Sequence, residues 1–245
     1  MIKKLLLTAI PLLSAVIAPG ANGTLCLTFD DIYLSSWLQA MPLFAKYNAH
    51  ATFFISRKID GKNVEQLKQL QAAGHTIGLH GINHRRAVDY MKKHGAEVYT
   101  QNEIMPQLEV CRKNNIKIRA FAYPYSQNSA ETDRELFKTF DFLRTNCSAV
   151  RKSGVLLAQV DGCFVKNVKS KQLFYGFPSS GNFNMQEVKA AMERAAKENS
   201  VLVFYAHDIT HKMQPKNHIT FSQLESLLQH ARKLNMRICG MNELQ

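Results

Sequence analysis

Thr24-Leu25-Cys26-Leu27-Thr28-Phe29-Asp30-Asp31 is a short apolar run that ends in two adjacent carboxylates. Its β-type composition predicts a buried strand over residues 24–29, with the acidic pair at the strand's C-terminal end. Further along, His80-Gly81-Ile82-Asn83-His84 follows a second apolar run and places two imidazoles at i and i+4. The two stretches together supply oxygen and nitrogen ligands for a hydrolytic metal centre, with one carboxylate to spare as a base.

Outward from these stretches, β-type runs alternate with helical patterns to the end of the chain. Strand candidates are residues 24–29, 50–55, 76–79, 117–122, 141–145, 201–206 and 236–239. Helix starts are read at Ser36 with Gln39, Asn63 with Gln66, Asn184 with Glu187, and Thr220 with Gln223, each spaced as a capping box. Two histidines four apart would share one face of a helical turn. Residues 96–114 read as the longest helix, with a kink or break expected at Pro106, which lacks the helical donor. Asp161-Gly162 between the β-rich runs 155–160 and 163–168 reads as a two-residue hairpin turn. Repeated βα units call for a parallel sheet with helices outside. The expected fold is α/β: one distorted or incomplete (β/α)7 barrel over residues 22–245 with a small β-hairpin insertion. In such a barrel chemistry gathers at the C-terminal ends of strands. Asp30 and Asp31, His80, the Tyr123-Pro124-Tyr125 stretch and His207 all follow strand candidates.

The first 21 residues read as a signal peptide, not as fold. Lys3-Lys4 precede an apolar stretch over residues 5–18, and Ala18-Pro19-Gly20-Ala21 offers small residues for cleavage. Export to the periplasm or the extracellular space is therefore expected. No second apolar stretch reaches spanning length. The formal charge is +12, spread over pairs such as Arg85-Arg86 and Arg151-Lys152. The plain reading is a solvated basic surface; anionic polymers and lipids also suit such a balance. Zinc-finger spacing and aromatic-rich basic motifs are missing, which argues against a nucleic-acid partner. Five cysteines at irregular spacing do not form a disulfide framework, and none reads as ligand or nucleophile. Cys26 and Cys239 lie in apolar runs and are expected to be buried thiols.

These motifs resemble the polysaccharide deacetylases of the NodB-homology type, carbohydrate esterase family 4. Thr28 to Asp31 matches the first motif, T-F-D-D, and His80 to His84 matches the second, H-x-x-x-H. The lead-in Ala73-Gly74-His75-Thr76-Ile77-Gly78-Leu79 and the strand ending in His207 also fit. Two departures stand out. Where the family's third motif reads R-x-P-Y/F-G, this chain has Ala122-Tyr123-Pro124-Tyr125-Ser126. The fourth motif, D-x-x-D-W, has no counterpart, because the only tryptophan is Trp37; Asp161 is better explained by the hairpin. The resemblance implies that an arginine should orient the catalytic aspartate and a further aspartate should partner the acid histidine.

On this reading Asp31, His80 and His84 hold a divalent cation, zinc first, with cobalt, nickel or manganese as alternatives. Asp30 is the general base, the Tyr125 backbone N–H an oxyanion donor, and His207 the general acid. Tyr123, Tyr125 and Tyr175 are candidates for stacking on sugar rings. The expected partner is an acetylated carbohydrate polymer or oligomer, and the protein is expected to be a monomer. The alternative is a non-catalytic carbohydrate-binding protein on the same scaffold.

Overall fold

Strand β1 (Thr24–Asp31) alternates between two environments. Leu25, Leu27 and Phe29 pack outward under the helices, whereas Cys26 joins a separate interior cluster. The same period-two alternation runs through β2 (Ala51–Ile55), β3 (Thr76–Leu79), β4 (Ile118–Ala122), β5 (Phe142–Asn146), β6 (Gln172–Pro178) and β7 (Val201–Ala206). Each strand pairs in parallel with the next, and β7 pairs back onto β1 from Thr24↔Val201 to Phe29↔Ala206. The sheet thus closes into a seven-stranded barrel. This computed structural model describes residues 20–178, 183–214 and 218–244, so nearly all of the expected leader lies outside the described residues.

Outside the barrel lie α1 (Leu34–Lys46), α2 (Gly61–Ala72), α3 (Ala87–His94), α4 (Ala96–Tyr99), α5 (Met105–Lys113), α6 (Ala130–Leu136), α7 (Met185–Glu198) and α8 (Phe221–Lys233). Two caps fall where expected: the Asn184 side chain accepts from the Gln186 and Glu187 N–H groups, and Thr220 forms a reciprocal box with Gln223. Two shift. For α2 the box is Asp60 with Asn63, three residues earlier than expected. α1 starts at Leu34, and Ser36 instead donates to the Tyr33 carbonyl and to Asp208. Between α4 and α5 the chain takes a π turn over Thr100–Ile104. Pro106, which has no N–H to give, begins the helix that follows.

Three expectations need correction. The strand candidate at 236–239 is not a barrel stave: β10 (Arg237–Ile238) is a short parallel strand beside the start of β1. The seventh stave is β6, which holds a glycine and ends in a proline. The hairpin around Asp161-Gly162 does not form. That segment folds as two 3-10 turns, Leu157–Gln159 and Asp161–Cys163, and its backbone pairs with the sheet through an antiparallel bridge from Val165 to Val201. Leu157, Val160, Cys163 and Phe164 bury themselves in the outer core, and Arg194 on α7 binds the Asp161 carboxylate and the Ala158 carbonyl. Burial of those side chains outweighs the local turn preference. A small second pair, β8 (Asp208–Thr210) with β9 (His218–Thr220), is also parallel.

The barrel interior is graded. Its floor is closed by Met241, whose N–H donates to Thr52 Oγ1 at 2.9 Å. Phe54, Phe142 and Phe174 fill the middle with Cys26, Ala120 and Val203. Polar groups occupy the layer above. All five cysteines are buried free thiols. Among the described residues no helix is long and apolar enough to cross a membrane.

Candidate active site

Strand parity brings Asp30 inward at the top of β1, beside the end of β3. Asp30 is 2% exposed and Arg144, on β5, is fully buried. Arg144 Nη2 donates to both Asp30 oxygens. Arg144 stands in register with Ala122, the residue at which the resemblance leads one to expect an arginine. The guanidinium has thus moved one strand over, and the alanine leaves it room. Space is also made at Gly176 on β6, where a Cβ would lie 3.2 Å from Arg144 Cδ and 3.3 Å from the Tyr205 ring. The guanidinium carbon rests 4.7 Å from the Tyr205 ring centroid and 5.4 Å from that of Phe54. Burial by itself would raise the Asp30 carboxyl, but Arg144, with His80 and His207, outweighs it and holds the pKa below the usual carboxylate range.

His80 continues β3, its N–H donating to the Ile55 carbonyl. Its Nδ1 lies 2.8 Å from the Ala122 carbonyl oxygen. A carbonyl only accepts, so Nδ1 carries the proton and the Nε2 lone pair is left for a ligand bond. Burial drives the His80 pKa down to about 4, with Arg144 and His84 adding to the fall against the pull of Asp30. His84 is lowered too, by burial first. Both shifts favour the neutral form that binds metals.

The two histidines do not sit on a helical turn. Gly81 at φ +75° and His84 at φ +54° fold the segment back on itself, and the His84 N–H donates to the Gly81 carbonyl. A Cβ at residue 81 would come 3.1 Å from Glu103 Oε2, so glycine meets both the angle and the space. Glu103 holds this turn from the π segment. Its carboxylate accepts from Asn83 N at 2.9 Å and Asn83 Nδ2 at 2.8 Å, and its carbonyl accepts from the Ile82 N–H. One turn on, buried Gln107 donates to the Ile55 and Arg57 carbonyls at 3.0 and 2.8 Å. The π turn puts both side chains on the barrel rim. Neither was visible as a site residue in the sequence; an acid and an amide just before and after Pro106 were the only trace.

The outcome is a compact donor set. His80 Nε2 and His84 Nε2 are 3.1 Å apart. Asp31 Oδ1 is 3.8 Å from His84 Nε2 and 4.0 Å from His80 Nε2. One atom from each of Asp31, His80 and His84 falls within 4.8 Å of the others. A carboxylate and two neutral imidazoles with converging lone pairs suit zinc or a neighbouring first-row divalent ion. Asp31 takes φ +81° to turn its carboxylate toward the histidines while Asp30 keeps its inward direction. Both carboxylates lie 4.0 Å from His80 Nε2; they differ in that Asp30 is held by Arg144 while Asp31 Oδ1 lies 3.8 Å from His84 Nε2.

His207 follows β7, at the seventh stave rather than the sixth counted from sequence. It lies close enough to act electrostatically on both Asp30 and His84. Trp37 Nε1 donates to its carbonyl at 2.8 Å and fixes the backbone. Its Nδ1 is buried with no hydrogen-bond partner among the described residues. Asp208 turns away to Ser36, and exposed Asp161 is bound to Arg194, so neither replaces the missing partner. Tyr125, 59% exposed as a residue, sits at φ +55° after β4 with its ring centroid 4.6 Å from that of His84. Ser126, where the family motif has glycine, also has φ +55°. Tyr123 is no stacking platform: it is fully buried and its hydroxyl donates to Asp133 at 2.7 Å.

The family model for polysaccharide deacetylase matches residues 18–141. No curated protein matches the chain. Among solved structures, the chitin deacetylase of Colletotrichum lindemuthianum is similar at 16% identity and TM-score 0.57, covering 91% of this chain and 88% of that one. The family 4 carbohydrate esterase of Streptomyces lividans is similar at 16% identity and TM-score 0.57, covering 92% and 96%. Peptidoglycan deacetylase PdaC of Bacillus subtilis is similar at 14% identity and TM-score 0.51, covering 93% and 92%. At these identities the solved structures establish the shared seven-stranded barrel, and the match over the first half of the barrel establishes descent: the chain belongs to the polysaccharide deacetylase family, a family of hydrolases.

Proposed function

We propose that this protein hydrolyses acetyl groups from an N-acetylated saccharide after export from the cytoplasm. The observation that carries the reading is the meeting of Asp31, His80 and His84 beside the Asp30–Arg144 pair at the barrel's C-terminal rim. These three residues would hold a divalent cation, zinc by donor chemistry, which supplies Lewis acidity toward water and the acetyl carbonyl. Asp30 accepts the proton of the attacking water. Arg144 keeps that carboxylate ionised and fixes its direction, at some cost in basicity. The Tyr125 N–H receives the developing oxyanion, a contribution of about 2.7–4 kcal/mol for one such donor. His207 hands a proton to the departing nitrogen.

A second reading, a non-catalytic carbohydrate binder on the same barrel, draws on one feature. His207 Nδ1 lacks the orienting partner that an acid histidine needs. One experiment separates the two. Purified protein, supplied in turn with zinc, cobalt, nickel and manganese, is incubated with a panel of N- and O-acetylated glycans and free acetate is measured. Release from an N-acetyl sugar supports the hydrolase. Sugar binding without acetate release under every metal supports the binder.

A further inference from the structure

A cavity of about 680 Å³ opens beside the proposed metal ligands, and His84 and Tyr125 form its inner wall. Its outer wall carries Arg85, Arg86 and Lys93 against a single carboxylate, Asp89. Asp89 already accepts from Gln127 Nε2 at 3.1 Å. All three cations are exposed, and among the described residues none of them has an ion-pair partner. Some arginines elsewhere are tied down, as Arg119 is to Asp141, Arg151 to Glu187 and Arg194 to Asp161, whereas exposed Arg112 and Arg134 have no ion-pair partner among the described residues; what sets Arg85, Arg86 and Lys93 apart is their place on one cavity wall beside His84. Arg86 is also oriented. Its guanidinium carbon lies 4.5 Å from the Tyr125 ring centroid, and that ring in turn leans on His84. A guanidinium stacked on an aromatic face keeps its N–H edge open, and that edge fits a carboxylate or phosphate. Across the rim, Arg57 adds a further exposed cation with no ion-pair partner among the described residues.

The geometry points to an acidic substrate: we propose that the acetylated saccharide carries a carboxylate or phosphate, on the acetylated sugar or its neighbour, which Arg85, Arg86 and Lys93 receive while Tyr125 underlies the ring. Tyr125 touches both sides of this arrangement, its ring 4.6 Å from the His84 ring and 4.5 Å from the Arg86 guanidinium carbon, so a sugar stacked on it would reach the proposed acetyl site on one side and Arg86 on the other. The inference rests on the deacetylase reading but has its own readout in binding.

The test compares three N-acetyl sugars by calorimetric titration at low and at moderate salt: a neutral chitooligosaccharide, a muramic-acid-containing disaccharide and N-acetylglucosamine 6-phosphate. At least one acidic sugar should bind about tenfold tighter than the neutral one at low salt, and salt should erode the difference. Which acidic sugar is preferred identifies the anion. The triple variant Arg85→Ala/Arg86→Ala/Lys93→Ala should lose the preference. The triple variant Arg112→Ala/Lys113→Ala/Lys197→Ala removes as much charge from exposed sites elsewhere and should keep it. Equal affinity for neutral and acidic sugars overturns the proposal, as does an equal loss in both triple variants. Duplex DNA that competes as well as the acidic sugar also overturns it, since that outcome means generic polyanion binding. Acetate release measured in parallel keeps the two readings apart. Turnover without acidic preference sinks this inference alone, and acidic preference without turnover sinks the hydrolase alone.

Discussion

Replacing Arg144 by methionine should destabilise the protein in a way that depends on pH with a definite sign. Arg144 and Asp30 are both essentially out of solvent, and one guanidinium nitrogen serves both carboxylate oxygens. Breaking such a pair from one side leaves an uncompensated buried charge, a cost of about 3–5 kcal/mol. In the native protein the Asp30 pKa is depressed, so its contribution is present above the unfolded pKa and is lost only as pH falls through the lower folded value. Without Arg144, burial is the largest remaining influence and raises the folded pKa above the unfolded one. The penalty should therefore be largest near neutral pH and should shrink on acidification, as Asp30 takes up a proton on folding. Urea denaturation between pH 4 and 8, with a chelator present so that no cation substitutes for the guanidinium, measures it. The double variant Ala122→Arg/Arg144→Ala returns the guanidinium to β4 in the same interior layer and should recover part of the loss. A penalty that does not vary with pH, or one below about 1 kcal/mol as for an exposed pair, would refute the reasoning.

Glu103→Gln should keep the fold but weaken metal affinity roughly 10- to 100-fold, because the carboxylate that anchors the Gly81–His84 turn is lost; metal-competition titration reads it, and unchanged affinity would release Glu103 from that role. His207→Ala should keep the metal and lose about 10²–10⁴-fold in turnover of an N-acetyl sugar, with a smaller loss on an aryl acetate, whose leaving group needs no proton; equal losses on both substrates would assign the acid elsewhere. Export predicts that N-terminal sequencing of the extracytoplasmic fraction finds a start near Asn22, and protein confined to the cytoplasm and beginning at Met1 would contradict it.

Most of the barrel is readable because its staves are short apolar runs with helical stretches between them, and the proposed ligands Asp31 and His80 follow the ends of such runs. What escaped is informative. β6 hides behind Gly176 and Pro178, residues that weaken a strand reading. Gly176 is there because Arg144 and Tyr205 occupy the space where a side chain would stand. Arg144 reads in the sequence as one charge in an apolar strand. Its signal was that a charge in the middle of a buried stave must find a partner, and that the arginine expected at residue 122 was missing one strand away. Glu103 and Gln107 were hidden by the π turn, which changes the face that a helical wheel would assign. The Asp-Gly turn signal failed because flanking apolar side chains had a core to enter. His80 and His84 meet through a glycine turn in place of the helical turn that their spacing suggests.

In the proposed mechanism two adjacent carboxylates divide the work, Asp31 holding a cation with His80 and His84 while Asp30, bound to Arg144, serves as the base. The most direct measurement is metal content alongside acetate release for the wild type, Asp30→Asn and Asp31→Asn. Near-stoichiometric metal is expected in the wild type and in Asp30→Asn, with turnover lost in the latter, and depleted metal in Asp31→Asn. Equal loss of metal from both variants would make Asp30 a ligand, and full metal in Asp31→Asn would remove Asp31 from the site; either result would overturn this division of labour.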